Sequence, residues 1–221
     1  MVNQERFYGR RKGKSLSLSQ TELLTSFLPL IHIDDFSSIP VSNCHNKIVL
    51  EIGFGNGSHL IENAKLNPSI TYIGCEVFLN GISQFINKIH MNKIKNIMIY
   101  DNDIHLKIDE IKNDTFDEVH IFFPDPWPKK RHQKRRIINK LFLSKIHRIL
   151  KQNGHITIAT DVLDYKTNII KDLQQTNFTK QYYEENIPKN KENKWPITKY
   201  EQKACQQNKM CYYLKYRTQN K

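Results

Sequence analysis

One aspartate of this chain stands between two prolines, directly before a tryptophan and a block of positive charge. The stretch FFPDPWPKKRHQKRR runs from residue 122 to residue 136, with Asp125 as its only acid and six lysines and arginines among its last eight residues. Proline fixes φ and interrupts regular structure, so the carboxylate of Asp125 should lie on a loop of fixed shape. A carboxylate held in this way can accept hydrogen bonds from a bound molecule, and the neighbouring cations suit phosphates.

A second set of residues combines glycines with acids in the first half of the chain. The segment LEIGFGNG at 50–57 places Glu51 ahead of Gly53, Gly55 and Gly57. Glycine adopts positive φ and lets a ligand approach the backbone closely. The fingerprint G-x-G-x-x-G of nicotinamide-dependent enzymes would need glycine at Ser58, so this class of oxidoreductase is excluded.

The acids along this half of the chain favour a different cofactor. Glu76 lies 25 residues after Glu51 and can accept hydrogen bonds from the two hydroxyls of a ribose. Asp103 follows another apolar run and can reach an exocyclic amine of adenine. An acid ahead of the glycines disfavours a pyrophosphate and favours a ligand that carries a sulfonium and an amino group. Together these residues predict S-adenosylmethionine as the cofactor.

Alternating strands and helices must bring these residues to one place. Short apolar runs predict strands, and apolar residues at a period near 3.6 predict amphipathic helices. The predicted strands are Ile48–Ile52, Ile70–Glu76, Asn96–Asp101, Phe116–Phe123, His155–Thr160 and Met210–Tyr216. The predicted helices are Ser19–Leu30, Ser58–Leu66, Asn80–Met91, Ile137–Leu150 and Asp164–Gln174, with Asn153-Gly154 ending the fourth. Between Phe178 and Met210 the pattern is polar and irregular.

This order of elements predicts an α/β protein with a parallel sheet, because each strand is followed by a helix that can cross over to the next strand. Ligands bind such sheets at the carboxyl ends of the strands, and all of the acids named above lie at those ends. We find no internal repeat and no linker. We therefore expect one domain spanning residues 1–221, with residues 1–18 as a basic N-terminal arm that need not be ordered.

Positive charge is concentrated in three segments of a chain whose net charge is +12. Residues 1–14 carry five basic and one acidic side chain, residues 129–140 seven basic and none acidic, and residues 189–221 nine basic and two acidic. Clustered cations build a directed field that attracts a polyanion, so this distribution predicts a nucleic-acid partner. The alternative is a solvated surface that serves solubility alone.

Composition disfavours several other classes of protein. No run approaches the roughly 18 apolar residues of a membrane span, so we expect no membrane partner. The basic residues 1–14 are not followed by an apolar segment, which disfavours a secretory signal. The four cysteines form no C-x-x-C pair and the histidines no H-E-x-x-H pattern, so we expect no metal and a cytoplasmic location. Monomer and homodimer both stay open.

These motifs together resemble one family, the bacterial tRNA (guanine-N7-)-methyltransferases. The matching segments are RFYGRRKGKSLS at 6–17, LEIGFGNG at 50–57, GCE at 74–76, ND at 102–103, FFPDPWPKKRHQKRR at 122–136, ATD at 159–161 and TKYE at 198–201. The resemblance implies a Rossmann-like class I methyltransferase fold, with a mostly parallel central sheet, helices on both faces and an antiparallel last strand. It also implies that S-adenosylmethionine methylates N7 of a guanine in the variable loop of tRNA.

The resemblance assigns roles to residues of this chain as well. Residues implied to bind the cofactor are Glu51, Gly53, Gly55, Gly57, Glu76, Asp103 and Asp125, of which Asp125 is also the implied catalytic residue. Residues implied to bind the substrate are Lys129, Asp161, Thr198, Lys199, Tyr200 and Glu201. Residues implied to contact RNA are Arg10, Arg11, Lys130, Arg131, His132, Gln133, Lys134, Arg135 and Arg136.

The chemistry of guanine agrees with this assignment. N7 already carries a lone pair, so catalysis requires placement behind the methyl carbon rather than removal of a proton. A carboxylate can accept hydrogen bonds from N1–H and the N2 amine of guanine, which adenine does not offer, and can stabilise a cationic product. The sequence leaves open which of Asp125, Asp161 and Glu201 reads guanine and whether Trp127 stacks or only packs. Another S-adenosylmethionine-dependent RNA base methyltransferase, or a non-enzymatic RNA-binding protein on the same scaffold, is the alternative.

Overall fold

Seven strands form one sheet in the computed structural model, which describes residues 8–39, 47–186 and 197–219. The strands are β1 (Ile48–Ile52), β2 (Thr71–Cys75), β3 (Ile97–Tyr100), β4 (Phe116–Phe122), β5 (Leu150–Thr160), β6 (Phe178–Asn186) and β7 (Cys211–Thr218). Their order across the sheet is β3-β2-β1-β4-β5-β7-β6. The strands from β3 to β5 pair in parallel, whereas β7 is antiparallel to both β5 and β6.

Seven α-helices and three short 3₁₀ helices connect the strands within the described residues. The α-helices are α1 (Leu18–Ser26), α2 (Leu28–Ile31), α3 (Ser58–Leu66), α4 (Leu79–Asn92), α5 (Lys140–Ile149), α6 (Leu163–Gln174) and α7 (Lys199–Gln206). The 3₁₀ helices are Phe36–Ser38, Ile104–Leu106 and Lys130–Arg135. None of the described helices combines the length and the apolar character that would let it cross a membrane.

Helices cover both faces of the sheet, as the alternation of side chains along β1 demonstrates. Leu50 and Ile52 belong to an apolar cluster that includes residues of α5 and α6. Val49, which points to the opposite face, belongs to a second cluster with residues of α3 and α4. A sheet buried on both faces explains why the parallel strands read as continuous apolar runs in the sequence. The predicted fold, with its antiparallel last strand, is confirmed.

Other expectations about elements need correction. The polar stretch after Phe178 contains a strand, β6, and a helix, α7, that the sequence pattern did not predict. The first predicted helix is split into α1 and α2, with Pro29 at the start of α2. Asn153-Gly154 does not end a helix, because α5 ends at Ile149 and both residues lie inside β5, where Asn153 adopts a φ of 61°.

Candidate active site

A cavity of about 690 Å³ opens at the carboxyl ends of the parallel strands. Its volume lies in the range of small-molecule sites in proteins. The strand order reverses between β1 and β4, so the cavity lies at the point where α/β sheets bind ligands. Of the residues predicted to bind the cofactor, five line it: Gly53, Gly55, Glu76, Asp103 and Asp125.

The glycines between β1 and α3 divide into two roles. All three adopt positive φ, at 76° for Gly53, 58° for Gly55 and 65° for Gly57. A Cβ atom on Gly53 or Gly55 would meet no atom within 4 Å, so these two present bare backbone to the cavity. A Cβ on Gly57 would lie 2.0 Å from Cδ2 of Phe85, so Gly57 serves the packing of α4 against the loop.

Glu76 organises the backbone around the cavity. Its Oε2 accepts a hydrogen bond from the backbone N–H of Gly55 at 2.7 Å. Its Oε1 accepts from the N–H groups of Val77 and Phe78 at 2.8 and 2.9 Å. These bonds fix the carboxylate on the cavity wall, and Oε2, which accepts only one of them, has a lone pair left for a ligand hydroxyl.

Asp103 lies deeper, at the end of β3, and has a partner that the sequence pattern did not predict. Asp103 is buried, and its Oδ1 accepts hydrogen bonds from the backbone N–H and the ring Nδ1 of His105, at 3.0 and 2.9 Å. The His105 ring also lines the cavity and packs against Phe142. The spacing D-x-H was the available signal in the sequence.

Glu51 lies behind the glycine loop rather than on the cavity wall. Its side chain is buried, and its Oε2 lies 2.7 Å from Nδ1 of the equally buried His59. The structure thus does not bring Glu51 together with the other predicted cofactor ligands. Donor atoms of Glu51, His59 and His120 lie within 4.8 Å of one another, an arrangement that could hold a metal ion. The expectation of no metal stays a prediction.

The loop that carries Asp125 is bent at both ends by residues in a rare conformation. Phe123 and Trp127 adopt φ values of 50° and 41°, which non-glycine residues visit at a cost of about 1–3 kcal/mol each. Arg136 holds the loop from behind, donating from Nε to the carbonyl oxygen of Pro126 at 2.8 Å. The side chain of Asp125 is exposed at the cavity, and desolvation by the surrounding wall raises its pKa.

The basic block that follows Asp125 has an inner and an outer part. Arg136 is 5% exposed, with Nη2 2.6 Å from Oδ2 of Asp164 and its guanidinium 4.6 Å from the ring centre of Tyr165. Arg135 is half-buried between two rings, 4.9 Å from the centres of both Tyr8 and Trp127. Both arginines line the cavity but are engaged by other side chains, so their predicted contact with RNA stays a prediction.

The outer part of the block is presented to solvent. Lys129, Lys130, Arg131 and Lys134 are exposed, and Lys134 also reaches the cavity. Among the half-buried members, Gln133 donates from Nε2 to Oδ2 of Asp164 at 3.0 Å and His132 packs edge-on against Trp127. The outer cations are thus the members of the block that remain suited to phosphate binding.

The predicted substrate-binding residues near the C-terminus are also divided. Thr198 and Glu201 cap the N-terminus of α7 reciprocally, and Glu201 is fully buried. Tyr200 lines the cavity, and its exposed ring stacks on Phe123 at 6.2 Å between centres. Lys199 is exposed, beside Tyr200 in the first turn of α7. Asp161 lies outside the cavity wall, with Oδ2 3.3 Å from Nζ of Lys209.

The described part of the N-terminal arm is docked against the molecule. Arg10 lines the cavity, and Arg11 donates from Nη1 to Oδ1 of Asn102 at 3.2 Å. The backbone carbonyl of Arg11 accepts a hydrogen bond from the N–H of Leu79 at 2.9 Å. The part of the predicted arm that precedes Tyr8 lies outside the described residues.

Similarity to known sequences agrees with this geometry. The model of a family described as "Putative methyltransferase" matches residues 45–214. The tRNA (guanine-N(7)-)-methyltransferases of Rhizobium johnstonii and Agrobacterium fabrum are each 34% identical, over 96% and 95% of this chain and 94% of each relative. A bifunctional methyltransferase of Rickettsia typhi is 36% identical over 96% of this chain, which spans 40% of that relative's length.

Solved structures agree at the level of the fold. An antibiotic-related methyltransferase superposes with a TM-score of 0.59 over 94% of this chain and 97% of its own, at 16% identity. A precorrin-6y C5,15-methyltransferase of Geobacter metallireducens superposes with a TM-score of 0.54 over 78% of this chain and 80% of its own, at 14% identity. The family model and the similar full-length relatives confirm the resemblance of the motifs: the chain belongs to the methyltransferase family that includes the bacterial tRNA (guanine-N(7)-)-methyltransferases.

Proposed function

We propose that this protein is an S-adenosylmethionine-dependent tRNA methyltransferase that forms N7-methylguanosine in the variable loop of tRNA. The observation that carries the proposal is the position of Asp125. Its carboxylate is presented at the cavity by a constrained loop, on the same sheet edge as the bare backbone of Gly53 and Gly55. The relatives named for this activity align with nearly the whole chain.

The donors around the cavity fit S-adenosylmethionine. Gly53 and Gly55 leave room for a ligand to lie directly on the backbone. Glu76 can accept a hydrogen bond from a ribose hydroxyl, and the Asp103–His105 pair offers polar atoms for an adenine edge. When bound there, the cofactor supplies an electrophilic methyl group. Glu51 would support the glycine loop through His59 instead of contacting the cofactor.

On the other side of the cavity, we assign the target guanine to Asp125 and Tyr200. The exposed ring of Tyr200, supported from behind by Phe123, offers a face on which a base can stack. Asp125 can accept hydrogen bonds from N1–H and the N2 amine of guanine, which leaves N7, on the opposite edge of the base, free to react. No proton has to be removed before N7 reacts, so these residues act by orientation and by stabilising the positive charge of the product base.

The roles of the other predicted residues follow from their exposure. The buried Glu201 holds α7 and the ring of Tyr200 in place, so Asp125 is the acid that we assign to guanine. The exposed cations Lys129, Lys130, Arg131 and Lys134 suit the phosphates of tRNA, which position a substrate without reading its sequence. A cytoplasmic location, where tRNA is available, completes the proposal.

The test is methyl transfer to a defined tRNA. The purified protein is incubated with isotopically labelled S-adenosylmethionine and a tRNA transcript that carries guanosine in its variable loop, followed by nucleoside analysis. We expect labelled N7-methylguanosine, and none when that guanosine is replaced by 7-deazaguanosine, which lacks the reacting nitrogen. A different methylated nucleoside would instead indicate another RNA base methyltransferase. Tight tRNA binding without any methylation would indicate a non-enzymatic RNA-binding protein.

A further inference from the structure

We infer that residues 8–10, anchored through residues 11–14, form a wall of the cofactor cavity and that Tyr8, stacked on Arg135, is a positioning residue for the loop that carries Asp125. This inference rests on the proposed function. It gives the basic arm a role at the cofactor site in addition to the predicted contacts of Arg10 and Arg11 with RNA. Tyr8, Gly9 and Arg10 line the same cavity as Glu76 and Asp125.

Two loops that carry predicted cofactor ligands anchor this wall. Arg11 bonds to Asn102, which directly precedes Asp103, and its carbonyl accepts from the N–H of Leu79 at the start of α4. Asn80, also in the first turn of α4, bonds to the arm in both directions. Its Oδ1 accepts from the N–H of Gly13 at 2.7 Å, and its Nδ2 donates to the carbonyl oxygen of Lys14 at 2.7 Å.

These anchors depend on local features of the sequence. The first N–H groups of a helix have no partner within the helix, and the arm satisfies that of Leu79. The arm approaches α4 closely at Gly13, where a Cβ atom would lie 3.0 Å from both Oδ1 of Asn80 and Cζ of Phe78. Both atoms are the ends of side chains, so a methyl group there would require them to shift by a few tenths of an ångström.

The other end of the wall is an aromatic stack around one cation. The guanidinium of Arg135 lies 4.9 Å from the ring centres of Tyr8 and Trp127, a distance that permits cation–π attraction to both rings. Trp127 is one of the two residues at positive φ that bound the Asp125 loop. Tyr8, Arg135 and Trp127 therefore form a continuous series of contacts from the arm to the loop of the catalytic candidate.

Two consequences follow for binding. The arm and the Asp125 loop line one cavity, so a cofactor that fills it should be held more weakly when the stack is broken. Arg135 should affect the cofactor more than the phosphates of tRNA, because its cation is taken up between two rings. Arg131, in the same 3₁₀ helix but exposed, should behave in the opposite way.

Calorimetry with S-adenosylhomocysteine, the demethylated form of the cofactor, tests the inference without relying on activity. We expect Tyr8→Ala and Arg135→Ala each to weaken its binding by about 3- to 30-fold, the range that cation–π energies imply. The double variant should have the same affinity for S-adenosylhomocysteine as the single variant that binds it more weakly, because both changes break the same stack. Tyr8→Phe should restore most of the affinity, and Arg131→Ala should leave it unchanged.

Limited digestion with trypsin provides a second measurement. Cleavage after Arg10 and Arg11 should be slow in the wild-type protein, slower still with S-adenosylhomocysteine, and fast in Tyr8→Ala and Arg135→Ala. Wild-type affinity and wild-type digestion in Tyr8→Ala would overturn the inference, as would two single effects that multiply in the double variant. If the wild-type protein itself failed to bind S-adenosylhomocysteine, the proposed function would fall together with the inference.

Discussion

Asp125 combines an exposed position with an environment that resists its ionisation. The surrounding wall raises its pKa, whereas a solvated aspartate would keep an ordinary value. The two strained residues that bracket it, Phe123 and Trp127, indicate that the fold maintains this loop against a local cost. An acid that served only solubility would need neither the strain nor the partial desolvation, so the geometry favours a role in binding or catalysis.

Replacing Asp125 with Asn should lower kcat by a factor on the order of 100 or more, because a neutral amide cannot stabilise the cationic base. The melting temperature should not fall. In the folded protein the pKa of Asp125 is raised above its ordinary value of 3.8, so above that pH its ionised form is less favourable in the folded state than in the unfolded state. Removing the charge at neutral pH should therefore not lower the stability of the fold. Asp109→Asn, in an exposed ion pair with Lys145, is the matched control. Wild-type turnover in D125N would contradict the assignment.

The same raised pKa predicts the acid side of the pH profile. The reactive form is the carboxylate, so kcat/KM should fall as the pH drops through the pKa of Asp125, at a higher pH than an ordinary aspartate would produce. The residual kcat/KM of D125N should not show this fall at acid pH. Rates measured across buffers of constant ionic strength decide the point, and an identical limb in both proteins would assign the titration to another group.

At the scale of elements, the glycine loop separates packing from ligand contact. Gly57→Ala adds a left-handed penalty of about 1–2 kcal/mol and an overlap with Phe85 that costs about 1–3 kcal/mol more. Gly53→Ala adds only the backbone penalty, because its methyl group meets no protein atom. That methyl group would, however, occupy space in the cavity that a ligand uses. We expect urea denaturation to show that G57A is less stable than G53A. Cofactor affinity should fall more in G53A than its smaller loss of stability would explain. The reverse order would contradict this division.

Helix α7 offers a test of Glu201 as a capping residue. Glu201→Ala should destabilise α7 by about 1 kcal/mol, because the capping box at Thr198 is lost, and should raise the KM for tRNA by loosening Tyr200. Glu201→Gln should recover much of the loss, since glutamine also serves at this position of a capping box. S-adenosylhomocysteine affinity should stay unchanged in both variants. If E201Q were as defective as E201A in tRNA affinity, the charge of Glu201 would have a role beyond the capping box.

The apolar strands were predictable because burial on both faces leaves a strong signal in the sequence. β1 reads IVLEI and is buried at every position, whereas β6 reads FTKQYYEEN and is largely exposed or half-buried. β6 pairs only with β7 within the described residues, so it lies at the edge of the sheet and needs little apolar surface. α7 escaped prediction for a similar reason, since only Glu201 and Ala204 are buried along it.

At the scale of the whole molecule, the sequence showed which segments carry the charge but not which of their side chains are exposed. Motif order predicted that Gly53, Gly55, Glu76, Asp103 and Asp125 would meet at one sheet edge, because strand order alone places them there. Burial of Glu51 depends on how α3 places His59 against β1, and burial of Arg136 depends on contacts with α6, 28 residues further along the chain. Local spacing does not show such packing, so the sequence predicted ligands for both residues but not their partners within the protein.

The division of the basic block yields a prediction about tRNA binding. Lys130 and Arg131 are exposed on a 3₁₀ helix that lies a few residues beyond Asp125, so their cations should flank the reacting base. Each phosphate contact releases counterions, and its loss should reduce the slope of log K against log salt by roughly 0.7–0.9. The double variant Lys130→Ala, Arg131→Ala should therefore bind tRNA more weakly at low salt and with a shallower slope, while S-adenosylhomocysteine affinity is retained.

A matched control removes the same charge elsewhere. Lys65 in the last turn of α3 and Lys95 before β3 are exposed near the amino ends of the strands, opposite the cavity. The double variant Lys65→Ala, Lys95→Ala lowers the net charge equally, so an effect of net charge alone would appear in both proteins. Titration of tRNA at four or more salt concentrations separates the two cases. Equal slopes in the two double variants would mean that the cations beside Asp125 attract RNA only through the overall field of the protein and do not contact its phosphates.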